Sequence, residues 1–186
     1  MISVHLPRRP RSFVWAGACV GGLAAVGLAL QLPPTDTHVA IAQSISGMRS
    51  MQNDYSQIMI VPPSSTIRVQ VIRRGEEPRK STTGLTATYR FISNTHSSDK
   101  TNFWKYVQPL MGVQPAPDIG LTGLGLSGAM TRDTVHRGFS ATSIPLTPFD
   151  DDGRENPYQI AHITIRNSTG AVIAETQTVV PVSSEL

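Results

Sequence analysis

The stretch from Tyr158 to Val180 constrains this chain most. "YQIAHITIR" and "AVIAETQTVV" are rich in β-branched residues and flank the short connection "NSTG". That arrangement predicts a β-hairpin, with Gly170 supplying the positive φ that the turn needs. A hairpin is marginal alone, so its apolar face requires further strands to cover it.

Two upstream stretches supply them. In "TIRVQVIR", Ile67, Val69 and Val71 alternate with Arg68, Gln70 and Ile72. In "LTATYRF", Leu85, Ala87, Tyr89 and Phe91 share one face, opposite Thr86, Thr88 and Arg90. Period-two alternation of this kind is the pattern of a half-buried strand. Ile58 to Val61 is a shorter apolar run stopped by Pro62 and Pro63. One helix is expected, over "SSDKTNFWKYVQPLMG", capped by Asp99 or Thr101 and ended by Pro109 and Gly112. Val113 to Arg137 is rich in Gly and Pro and predicts an ordered, irregular excursion with short strands. The whole reads as an all-β domain over 56–186, an antiparallel immunoglobulin-like sandwich with one short helix.

The N-terminus has a different plan. Arg8, Arg9 and Arg11 precede Phe13 to Leu30, a run with no charged residue, and Pro33 and Pro34 follow. A basic region before an apolar one is the plan of an export signal. Residues 1–32 are therefore expected to be a signal peptide or an N-terminal transmembrane anchor helix, with 13–32 in the inner membrane if uncleaved. Ala40-Ile41-Ala42 offers an A-x-A cleavage site, and 33–55 reads as a polar linker. The arginines stay cytoplasmic and the C-terminal part lies outside, in the periplasm or at the cell surface.

Charge and cysteine content then narrow the possibilities. Setting aside Arg8, Arg9, Arg11 and Asp36, the 16 Lys/Arg and 13 Asp/Glu become 13 and 12. A near-neutral exported domain lacks the basic stripe of a nucleic-acid binder. Its only cysteine, Cys19, lies in the apolar leader, so no disulfide, thiolate metal site or haem attachment is expected outside. No cofactor is expected either.

Several short motifs invite chemistry and fail on context. "GLGLSG", Gly123 to Gly128, spells the dinucleotide-binding G-x-G-x-x-G. That fingerprint needs a strand before it and a helix after it. Here two prolines precede it and "AMTRDTVHRGF" follows without helical period. Ser127, Asp133 and His136 are the residue types of an acyl-transfer triad, but without a nucleophile elbow. Asp150, Asp151 and Asp152 with Gly153, Glu155 and Asn156 form the densest oxygen cluster. Asp150, Asp152 and Glu155 are the candidate Ca²⁺ ligands, although position 12 from Asp150 is Ala161 and not the bidentate Glu of an EF-hand. His38, His96, His136 and His162 show no metal-binding spacing; His162 reads as a half-exposed sheet residue. Trp104 and Tyr106 read as packing residues, and Asn167-Ser168-Thr169 is a glycosylation sequon.

Four stretches carry a wider likeness: "KTNFWKYVQPLMGV", "IGLTGLGLSGAM", "IPLTPFDDDGRENPYQIAHITI" and "TQTVVPVSSEL". In this order they resemble the haem-free region of exported bacterial proteins of cytochrome-associated type. Those proteins carry T-N-F-W, L-T-G-x-G-L-S-G, N-P-Y-Q and V-P-V-S segments ahead of C-x-x-C-H motifs. The likeness spans Ile58 to Leu186, which contains no C-x-x-C-H, so no haem-ligating residue carries over. It implies a non-catalytic exported accessory module whose protein partner is a multihaem cytochrome. The alternative is a Ca²⁺-stabilised binding protein or metal-dependent hydrolase using the Asp150–Asp152 loop.

Overall fold

The computed structural model describes residues 37–185, and the expected signal or anchor over 1–32 lies outside them. The described chain is mostly β, with two sheets and one short helix. The first sheet runs β1 (His38–Ser44), β3 (Ser65–Arg73), β8 (Gly138–Ile144), β7 (Thr131–Asp133), with β4 (Arg79–Lys80) paired to the end of β3. The second runs β2 (Arg49–Ser50), β10 (Val172–Ser183), β9 (Tyr158–Arg166), β5 (Thr86–Phe91), β6 (Ser127–Ala129).

The alternating stretches behave as their periodicity demands. Ile67, Val69 and Val71 are fully buried, as are Ala87, Tyr89 and Phe91, and all six join one core with Phe139, Ala141 and Ile144 of β8. Ala161, Ile163 and Ile165 of β9 and Val180 and Val182 of β10 complete that core from the second sheet. Burial of each Val, Ile or Phe side chain in this core contributes about 1.5–3 kcal/mol. The hairpin forms between β9 and β10. Gly170 has φ +84°, and Asn167 Oδ1 accepts from the N–H groups of Thr169 and Ala171, each at 3.0 Å.

Three expectations need correction. Residues 33–55 are not simply a linker: β1 pairs antiparallel with β3 over seven positions, and β2 pairs parallel with β10. Met51 and Tyr55 are fully buried. The reason is that β1 turns the small Ala40 and Ala42 toward the core and leaves Ile41 55% exposed, so its hydrophobicity does not follow its burial. Ile58 to Val61 forms no strand, with Ile58 and Ile60 exposed. Gln52 spans that loop instead, donating to Ile58 O at 3.0 Å and accepting from Val61 N at 3.2 Å.

The helix α1 (Phe103–Met111) starts at Asn102 rather than at Asp99 or Thr101. Asn102 sends no side-chain bond into the helix. Its Oδ1 accepts from Tyr55 N at 2.9 Å and its Nδ2 donates to Asp54 Oδ1 at 2.6 Å, so it ties the helix to the 51–61 loop. Pro109 stands inside the helix, and Gly112 (φ +73°) closes it by donating to Gln108 O at 2.9 Å. Phe103, Trp104 and Val107 form a second small core with Tyr55, in which ring centroids lie 5.0 Å (Phe103–Trp104) and 5.6 Å (Tyr55–Phe103) apart at near-perpendicular angles. Trp104 therefore packs, and its Nε1 donates to Ile119 O at 3.0 Å.

Candidate functional site

The densest polar cluster joins the loop after β5 to the loop before β9. Lys100, its side chain only 7% exposed, reaches across and donates to three acceptors: Asp151 Oδ1 at 2.7 Å, Asn94 Oδ1 at 3.0 Å and Phe149 O at 3.2 Å. That matches the three donors of an ammonium group. Asp151 also accepts from Thr95 N at 2.9 Å and from Thr95 Oγ1 at 2.9 Å, while its own N–H donates to Ser93 O at 2.7 Å. Buried Asn94 donates to Thr147 O at 2.8 Å. Burial alone would raise the Asp151 carboxyl, but the bonds from Lys100 and Thr95 outweigh it and hold it down at about 2.

His96 completes this cluster. Its Nε2 lies 3.1 Å from Asp99 Oδ2 and its Nδ1 lies 3.2 Å from Asp151 Oδ1. Nearby, Asp118 Oδ1 accepts from the N–H groups of Ser97 and Ser98 at 2.6 and 2.7 Å. Burial pushes the Asp118 carboxyl up, and these two bonds outweigh it and keep it below the usual range. Most of these bonds tie one loop to another, while the buried hydroxyls of Ser97 and Thr147 have no partner. Thr95 Oγ1 also lies 3.4 Å from His96 Nδ1, and its hydroxyl donates to Asp151 Oδ2 at 2.9 Å.

The candidate metal ligands face different ways. Asp150 is buried, and its carboxylate accepts from Gln159 Nε2 at 3.0 Å and Asn156 Nδ2 at 3.1 Å. Asp152 points to solvent and pairs with Arg154 at 3.2 Å. Glu155 is exposed and takes part in a backbone bridge with Phe149. Among the described residues no group of three or more His, Cys, Asp or Glu side chains could hold a metal ion. Amide donors from Asn156 and Gln159 occupy the Asp150 carboxylate, and the Arg154 guanidinium pairs with Asp152.

The imagined triad does not assemble. Asp133 and His136 meet at 2.9 Å, and Arg68 Nε stands 3.2 Å from Asp133 Oδ2 at ion-pair rather than hydrogen-bond geometry. The His136 N–H is the leading cause that lowers the Asp133 carboxyl. Ser127 lies in the other sheet, paired with Arg90. The glycine-rich stretch is architectural. Gly123 turns with φ +83°, Tyr89 Oη donates to Gly125 O at 2.7 Å, and Gly128 lies within β6. Burial pushes the Tyr89 hydroxyl up to about 12, so it remains a donor at physiological pH.

The outer face of the second sheet shows what sequence reading missed. Ile160 pairs with Val179, and both are about half exposed (47% and 49%). Tyr158, opposite Pro181, is 59% exposed, and Ile92, just beyond β5, is 52% exposed. His162 follows on the same face, half-buried as expected. The only signal available was that Tyr158 and Ile160 share the parity opposite to Ala161, Ile163 and Ile165. No family model and no curated protein matches this chain.

Proposed function

We propose that this chain is a non-catalytic, exported interaction module: an immunoglobulin-like sandwich, held at the membrane by its N-terminal apolar segment, that binds a haem-bearing redox protein. The observation that carries the interaction role is the exposed stripe of Ile92, Ile160 and Val179 with Tyr158 beside it. Contiguous apolar surface of this sort on a sheet face marks a protein-binding site more often than an isolated exposed side chain does. The polar clusters, by contrast, are consumed in tying loops together.

Strand order supports the immunoglobulin-like assignment. Across the first sheet, β1, β3, β8 and β7 would correspond to A, B, E and D, and in the other sheet β5, β9 and β10 would correspond to C, F and G. The strand β6 beside β5 stands where variable-type domains add a strand. The inter-sheet disulfide of antibody domains has no counterpart, because Cys19 is the chain's only cysteine. The redox partner rests on the "TNFW", "LTGLGLSG" and "NPYQ" likeness alone.

The test is capture of a purified multihaem cytochrome on immobilised full-length protein, read by haem absorbance in the eluate. Binding that Ile160→Asp abolishes supports both the partner and the face. An eluate without haem overturns the cytochrome partnership, and capture unaffected by Ile160→Asp overturns the role of the stripe.

A further inference from the structure

The far end of the first sheet carries a concentration of positive charge. Arg73 ends β3, Arg74 follows it, and Arg79 and Lys80 form β4, all exposed around an open cleft of about 530 Å³ that Glu76 and Glu77 also line. Glu77 pairs with Arg79. Among the described residues, Arg73, Arg74 and Lys80 have no acidic side chain at ion-pair distance. Four cations against two carboxylates leave this tip with a positive excess, in an exported domain that is otherwise near neutral.

The tip also lies where the described chain begins. Thr37 O accepts from Arg74 N at 2.9 Å, and His38 pairs with Arg73 at the start of β1. Between Leu30, the end of the charge-free apolar run, and Thr37 stand only six residues. Seven peptide steps reach at most about 25 Å even when fully extended. A tether this short keeps the tip at high local concentration against whatever surface holds the apolar run.

We propose that the Arg73–Lys80 tip is a docking surface for the anionic phospholipid headgroups of the membrane that holds residues 13–32. The proposal rests on the reading of that segment as a membrane anchor. Guanidinium groups match phosphate oxygens in a planar fork, and each basic side chain at an anionic surface strengthens association about fivefold at moderate salt. The attraction acts within a Debye length, about 10 Å at 0.1 M salt, which a tethered tip can reach. A soluble acidic partner would gain nothing from the tether, and this is why the lipid surface is the favoured occupant. The docked domain would stand with β3 and β4 toward the lipid.

The test uses the full chain in vesicles. Cys19→Ser makes a cysteine placed by Gly75→Cys unique; Gly75 has open space around it. A fluorophore there reports contact with spin-labelled headgroups. Strong quenching is expected in vesicles with a third phosphatidylglycerol, and little in phosphatidylcholine alone. It should fall severalfold at high salt and in the combined Arg73→Gln, Arg74→Gln, Arg79→Gln, Lys80→Gln variant. No quenching in the anionic vesicles, or equal quenching in the four-substitution variant, overturns the docking surface. Alkaline carbonate extraction of the same samples reads the anchor separately. Release of the chain overturns the anchor, whereas retention without quenching overturns only the docking.

Discussion

Lys100 Nζ lies 2.7 Å from Asp151 Oδ1, although 51 positions separate the two residues in the chain. Lys100 is nearly buried, and its other two hydrogen bonds are also to oxygen atoms, on Asn94 and Phe149. Lys100→Met should therefore cost more than a surface lysine does. It leaves Asn94 Oδ1 and Phe149 O without their donor, and a lost bond to a charged group costs about 1.5–3 kcal/mol. Chemical denaturation should show a loss in that range. A variant as stable as the parent would mean that water replaces the ammonium without penalty.

The Asp151 carboxyl has a folded value of about 2, below its unfolded value of 3.8. Its contribution to stability is fully present above the unfolded value and is lost as pH falls from about 4 through 2. Solvent screening at a side chain 31% exposed reduces the contribution to roughly 1–2 kcal/mol. Asp118 adds to the same acid-side loss. Urea midpoints measured from pH 5 to pH 2 should fall more steeply for the parent than for Asp151→Asn. Parallel slopes would remove Asp151 as a source of acid sensitivity.

Gly138 sits so close to β3 that an added Cβ would lie 2.4 Å from Val69 O. Backbone cannot move aside as a flexible side chain can. Gly138→Ala should lower stability by about 1–3 kcal/mol through overpacking. At Gly75 nothing lies within 4 Å, and Gly75→Ala should change little. Thermal melts of the two variants side by side decide the matter.

Cleavage after Ala42 would remove five of the seven residues of β1, from His38 to Ala42. Ala40 and Ala42 pack against the core, and the pairing of β1 with β3 would be lost over the same span. A protein starting at Gln43 should be less stable than one starting at Thr35 by on the order of 2–4 kcal/mol. N-terminal sequencing of the protein isolated from cells should accordingly find no end at Gln43. Equal melting midpoints for the two forms would make β1 dispensable.

The carboxylates of Asp150, Asp151 and Asp152 are already engaged by Gln159, Asn156, Arg154, Lys100 and Thr95. Millimolar Ca²⁺ and EDTA should give the same melting midpoint. A bound ion at 100 times its dissociation constant would add about 2.7 kcal/mol. A shift of that size would restore the acidic loop as a metal site.

The main strands were legible because large β-branched residues and burial kept the same parity, as at Ile67, Val69 and Val71. The strand β1 was not, because its inward positions hold alanines and its largest outward residue, Ile41, is exposed. Asn102 was missed as the start of the helix since its amide serves the 51–61 loop, a contact 47 residues away that no local pattern records. The Lys100–Asp151 pair was hidden for the same reason. Asp151 stood out only as one of three acids in a row, and nothing beside Lys100 in "SSDKTN" marks it as buried. Alternation reports one residue's face; it does not report which two distant loops will share a proton donor.

The pairing of β2 with β10 has a mechanical consequence. The two strands run parallel, with Arg49 beside Val182 and Ser50 beside Ser183, and Met51 N donates to Ser183 O at 2.9 Å. A pull applied backward along the chain before β1 and forward after β10 would load these bonds together, in shear, rather than peel them one at a time. On the same force path the seven-position ladder of β1 on β3 comes before this seam, so the two pairings would share the strain.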